Sequence, residues 1–215
     1  MSLEIQIADL AIFLTDSDAD AEEIDEFKQV YRDLDRFLKA RGLPGHVEPE
    51  TLPPLESNCD VGNFSYRSLH HLRRAYVYQR KNLKFFPVAD ALDDDPVLKD
   101  EYESPTFTSH LVHFSDCEGF YVPLDFAEPL YADDDENVLG GGVGSSPRLR
   151  AELVMVAPLL EIPLVDGRLA PEVAVEIGNF ERQSAHPLGS ERMIWLALYE
   201  SACQSIQFAS AIRFS

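Results

Sequence analysis

From Met193 to Phe208 the chain carries one charged residue, Glu200. A helix that is apolar nearly all round has no face to give to water. The run SERMIWLALYESACQSIQF therefore predicts a helix at the centre of the molecule, with Ser190 as its cap. This constrains the architecture more than any other stretch, because a buried helix needs covering elements on several sides.

Those elements are legible along the chain. Asp18 or Asp20 caps a helix from Ala21 to Arg41, stopped by Gly42 and Pro44; its Ile24, Phe27, Tyr31, Leu34 and Leu38 fall three and four apart on one stripe. A second helix is predicted from Phe64 to Arg80. Its apolar side, Tyr66, Leu69, Leu72, Tyr76 and Val77, carries Arg73 near the centre, whereas Arg74 and His71 point away. Ser145 or Ser146 with Pro147 starts a third helix through Leu149, Leu153 and Val156, broken at Pro158, and Pro171 opens another, weakened by Gly178. LEIQIADLAIFL begins as a short strand, and SAIRFS at the other end adds an edge strand. Between residues 43 and 60, Pro44, Pro49, Pro53 and Pro54 with no apolar period read as an extended surface connection.

The stretch HFSDCEGFYVPLDF, His113 to Phe126, carries the sheet signal. Phe120, Val122, Leu124 and Phe126 alternate with Tyr121, Pro123 and Asp125, a period of two with one clean apolar face. The preceding HLVHF pairs with it through SDCEG, giving a β-hairpin at about 110–126 in which His113 and Tyr121 lie together on the outer face. The expected fold is thus α+β: one mainly helical domain over residues 1–215 with a small antiparallel sheet that contains this hairpin.

Charge narrows the partners. The net charge is −20, and it is unevenly laid out: residues 1–62 hold 15 acids against 5 bases, residues 63–87 hold no acid and 6 bases, and residues 88–136 hold 15 acids and 1 base. A field of this sign repels phosphate backbones and anionic membranes, so neither nucleic acid nor membrane is expected as a direct partner, and a basic protein is favoured. No stretch has the apolar length of a membrane span, and the start MSLEIQIADLAIFL lacks the basic opening of an export signal. Three separated cysteines, Cys59, Cys117 and Cys203, form neither a disulfide framework nor a zinc pattern. A reducing cytoplasm is the expected compartment.

No catalytic signature is complete, and no cofactor or metal is expected. On a strand His110 and His113 point to opposite faces and make a poor ligand pair. Cys117 sits between Asp116 and Glu118, whose charges disfavour a thiolate. Ser115, His113 and Asp116 are the residue types of a hydrolase triad, but adjacency in sequence rarely supplies its geometry, and GxSxG is absent. Arg73 provides the motive for a binding site. A guanidinium on an apolar helix face requires a carboxylate, and Asp116 or Glu118 would supply it and hold His113 and Tyr121 in place. The glycine-rich GGGVGSSPRLR adds Ser145 and Arg148 as anion-cradling candidates, although it lacks the Walker lysine. Arg73, His113, Asp116, Glu118, Tyr121, Ser145 and Arg148 are thus the candidate binding residues.

YRSLHHLRRAY, HFSDCEGFYVPLDF and GSSPRLRAELVMVAPLL together resemble a family of small acidic bacterial cytosolic proteins of uncharacterised function. The resemblance implies no activity, catalytic residue or cofactor. By size and charge class alone, the chain is also similar to immunity proteins that neutralise basic nuclease toxins. Two readings follow. The first is an acidic cytoplasmic protein that binds a basic protein partner, with an immunity-type inhibitor as its narrower form. The alternative is a small-molecule-binding protein or small enzyme whose pocket, between the 63–80 helix and the 110–126 hairpin, takes a small anionic ligand. A third outcome, that the acidic stretches merely fold back on the basic helix, would make Arg73 a stabilising residue only.

Overall fold

A computed structural model describes residues 2–16, 18–58, 64–88, 95–133 and 136–215. Cys59 and the acids Asp60, Asp90, Asp93, Asp94, Asp134 and Asp135 lie outside the described residues. The fold is α+β, and the described residues form eight helices and a small mixed sheet.

The apolar C-terminal run forms α8 (Gly189–Phe208). Trp195 and Leu196 to Leu198 are fully buried, and the Trp195 indole donates to the Leu153 carbonyl at 2.8 Å. α3 (Tyr66–Arg80) and α5 (Ser146–Val156) pack against α8. The cap expected at Ser190 is not used: the helix begins one residue earlier, without a side-chain cap, and the Ser190 hydroxyl bonds that of Ser68. Ser145 does cap α5, its hydroxyl oxygen accepting from the Arg148 amide at 3.3 Å.

The amphipathic helix at the other end is α2 (Ala21–Ala40). Asp20 accepts from the amides of Glu22 and Glu23, and the Glu23 carboxylate accepts in return from the Asp20 amide, a complete capping box. At its end Gly42 takes φ +74°, the left-handed turn that suits a residue without Cβ.

The sheet departs from expectation. Strand β4 (Gly119–Val122) forms at the anticipated FYV, but it pairs parallel with β6 (Gly142–Ser145) and antiparallel with β9 (Ile212–Phe214), not with residues 110–114. There is no hairpin at 110–126, and the sheet is mixed rather than antiparallel. With β2 (Ile5–Ile7) and β5 (Leu130–Tyr131), the order is β2-β9-β4-β6-β5. The C-terminal tail, expected at an edge, is therefore an interior strand.

Hydrogen-bond satisfaction explains the failed hairpin. Backbone groups must be paired somewhere, and many of those in 109–115 are claimed by side chains. The Glu152 carboxylate accepts from the amides of His110 and Leu111 and from the Ser109 hydroxyl. Arg73 donates to the carbonyls of Leu111, Phe114 and Ser115. The segment curls into a turn, with the His113 amide donating to the Ser109 carbonyl at 3.1 Å.

Both faces of β4 are covered. Phe120 and Val122 pack with Tyr31, Leu34 and Leu38 of α2. Tyr121, on the opposite face, packs with Phe114, Phe214 and the α3–α5–α8 layer. Gly144 is the floor on which the Tyr121 ring lies, since a Cβ there would come within 2.4 Å of the ring. The Pro-rich connection is extended as expected, yet it buries His46 and Glu48. Their side chains bond at 2.6 Å, and Glu48 also accepts from the Ala211 amide.

Candidate partner-binding surface

The structure brings Arg73 and Asp116 together, with the arginine buried and the carboxylate half-exposed. The Arg73 side chain is 2 % exposed; its guanidinium pairs with Asp116 and donates to Leu111 O at 2.8 Å, Phe114 O at 2.8 Å and Ser115 O at 3.2 Å. Asp116 also accepts from His70 Nε2 at 3.0 Å. Burial pushes the Asp116 carboxyl up, but the His70 hydrogen bond and the Arg73 charge outweigh it and hold the group down at about 2. Every donor of this guanidinium that bonds does so to its own chain, which makes the group a strut.

The remaining candidates do not converge on it. His113 and Tyr121 are both buried, not paired on an outer face. The His113 Nδ1 accepts from the Ser109 amide and the Tyr121 hydroxyl donates to the His110 carbonyl at 2.7 Å, so each ties the 109–113 turn to its surroundings. Ser145 is buried and donates to the Leu124 carbonyl. Arg148 turns to solvent and pairs with Asp125 at 2.5 Å, and Glu118 is exposed. Cavities of about 630 and 660 Å³ open elsewhere and are lined by none of these seven residues. Among the described residues no group of His, Cys, Asp and Glu is arranged to hold a metal ion.

The neighbouring basic residues meet the same fate. Arg74, expected to point away from the apolar side, is buried and pairs with Asp95 at 2.5 Å, its guanidinium lying over the rings of Tyr78 and Phe85. Arg80 pairs with Glu101, and Lys81 pairs with Asp100 at 3.0 Å and Glu101 at 3.4 Å. These acids belong to α4 (Pro96–Tyr102) and its cap Asp95, which fold back on α3. Of the six bases in residues 63–87, Arg73, Arg74, Arg80 and Lys81 are thus ion-paired to acids among the described residues.

Internal pairing leaves the other acidic stretch uncompensated. Asp16, Asp18, Asp20, Glu22, Glu23, Asp25 and Glu26 are seven acids within eleven residues, all exposed, with no base among them. Among the described residues only Asp25 of the seven has an ion pair, to Arg32 at 2.9 Å. Four of them, Glu22, Glu23, Asp25 and Glu26, occupy the first turns of α2. At a rise of 1.5 Å per residue, that is four charges along about 6 Å of axis. Duplex DNA carries one charge per about 1.7 Å of its own axis, so the carboxylates follow one another at a similar spacing, with Arg32 offsetting Asp25. The run was legible in the sequence but was absorbed into the net charge.

The family comparison agrees in kind. A family model described as "Putative DNA-mimic protein" matches residues 1–214. The chain belongs to this family. Comparison with curated proteins and with solved structures gives no match. Membership overturns the immunity-type inhibitor, and with it the small-molecule or small-enzyme alternative, whose pocket also loses the hairpin it was to be built on. The partner expectation is corrected too: a small anionic ligand falls, and nucleic acid, set aside on charge grounds, returns as the molecule whose likeness defines the family. Among the described residues no helix is long and apolar enough to cross a membrane.

Proposed function

We propose that the protein is a cytoplasmic DNA mimic that occupies the nucleic-acid-binding surface of a basic DNA-binding protein, with Asp16 to Glu26 as its leading edge. The reading rests on the family match together with that exposed run, in which Asp25 alone has an ion pair among the described residues. Carboxylates at phosphate-like spacing offer Arg and Lys side chains the charge-assisted hydrogen bonds they would make to a backbone. Binding steered by such a field is fast and salt-sensitive. Glu118 and Glu128, exposed elsewhere, extend the negative field.

The test is competitive displacement. DNA-binding proteins of a bacterial extract are held on immobilised duplex DNA at low salt and challenged with the protein. A variant carries Asp18→Asn, Glu22→Gln, Glu23→Gln, Asp25→Asn and Glu26→Gln. The wild type should release bound proteins that free duplex also releases, and the variant should not. Release of nothing by the wild type would sink the reading, and equal release by the variant would move the interface away from α2.

A further inference from the structure

Beside the acidic run lies a groove that a pure charge mimic would not need. It has a volume of about 630 Å³ and lies between β2, α1 (Asp9–Phe13), the Thr51–Ser57 stretch of the Pro-rich connection, and α8. Ile5, Ile7 and Ala11 form its floor, and Leu52 and Pro53 belong to the Pro-rich wall. Ile12 lines it and is 63 % exposed, so an apolar side chain at the groove is open to a partner. The connection is fixed as a wall from behind: Glu200 of α8 accepts from the Ser57 hydroxyl and from the Asn58 amide, both at 2.9 Å, and Gln204 donates to the Glu56 carbonyl at 2.6 Å.

The lining also has a sign. Its charged residues are Glu4, Asp9, Glu50, Glu56 and Glu200, five acids and no base. Asp9 is offset by Arg213 and Glu50 by Lys28, and Glu200 is bonded to Ser57 and Asn58, which leaves Glu4 and Glu56 exposed and, like Glu200, without a cation among the described residues. The groove is continuous with the acidic run, because Thr15 lines it and Asp16 follows.

An apolar floor inside a negative rim selects its occupant. A second copy of this chain brings its own charge of −20 to the contact, and an anionic lipid surface is repelled for the same reason. An amphipathic segment with an apolar face flanked by Lys or Arg satisfies both parts of the surface. We propose that the groove receives such a segment of the DNA-binding partner, an apolar side chain entering beside Ile12 and Leu52 while flanking bases meet Glu4 and Glu56. The proposal rests on the DNA-mimic reading. It adds a contact that DNA cannot offer: binding by charge alone collapses as salt rises, whereas burial of apolar surface does not.

The probe is a labelled helical peptide of about 18 residues, with leucine at every third or fourth position and lysine between. Its control is an isomer of equal composition with the leucines scattered. The patterned peptide should bind the wild type about tenfold more tightly than the isomer, a ratio worth about 1.4 kcal/mol, and keep that advantage at about 0.5 M salt, where charge is screened. Ile12→Arg should abolish the advantage. Leu52→Arg, checked for fold by circular dichroism, is the second variant. Equal binding of the two peptides, or indifference to both substitutions, overturns docking in the groove while leaving displacement from DNA to decide the mimic reading separately. Failure of the wild type in that displacement assay removes the proposed occupant as well. A dimer in sedimentation that Ile12→Arg dissociates would overturn the proposal in favour of a second copy.

Discussion

At the residue scale, the basic charge that invited a ligand serves the fold. Arg73 holds Leu111, Phe114, Ser115 and Asp116 together, so its removal leaves several buried acceptors unpaired. Arg73→Ala should destabilise the protein by about 3 kcal/mol, measured by urea unfolding, because each buried acceptor left unpaired costs about 1–3 kcal/mol. Displacement from DNA should be kept under conditions where the variant remains folded. Glu152 offers a test in pH. Burial pushes its carboxyl up to about 7 despite hydrogen bonds from Leu111, Ser109 and His110. A raised folded pKa means that the native state binds the extra proton. Its contribution to stability is therefore full below the ordinary carboxylate value and is lost as pH rises through about 7. Glu152→Gln should flatten that decline, read as the difference between urea midpoints at about pH 5 and about pH 8. Sequence spacing identified Arg73 and named Asp116 among its partners, because an arginine on an apolar helix face has few solutions. Glu152 gave no such sign, since its role depends on a turn about forty residues away in the chain.

At the element scale, the start of α2 combines two roles that substitution can separate. Asp20 caps the helix and belongs to the acidic run. Asparagine caps about as well as aspartate but carries no charge. Asp20→Asn should therefore leave the thermal midpoint nearly unchanged while weakening displacement from DNA, whereas Asp20→Ala should cost about 1 kcal/mol of stability as well. Helices α2, α3 and α5 were readable from stripes and caps, because those signals lie within one turn of the residues concerned. The hairpin was misread for the converse reason. Alternation marks a strand but not its neighbour, and β4 found β9, about ninety residues along the chain, and β6 instead of the segment beside it.

At the scale of the whole molecule, salt should act in opposite directions on folding and on binding. Exposed like charges around Asp16 to Glu26 repel one another in the compact state, and ions screen that repulsion. Raising sodium chloride from about 50 mM to about 200 mM should increase the thermal midpoint while reducing displacement from DNA. A midpoint that falls over the same range would show that the internal pairs on α3 outweigh the surface repulsion. The sign of the result measures how completely the basic stretch is neutralised inside.

Composition and local pattern determined, without any structure, that this chain is acidic, that its C-terminal helix is buried and that its first long helix begins at about Ala21. These properties depend on residues close together in sequence, where geometry is fixed by the turn of a helix. Tertiary structure alone decided which acids meet bases and which face water. A carboxylate at Asp95 or Glu101 and one at Glu22 are the same group in the sequence, and only the packing of α4 against α3 takes the first two out of the surface field. What the protein presents to a partner is the charge left after that internal pairing.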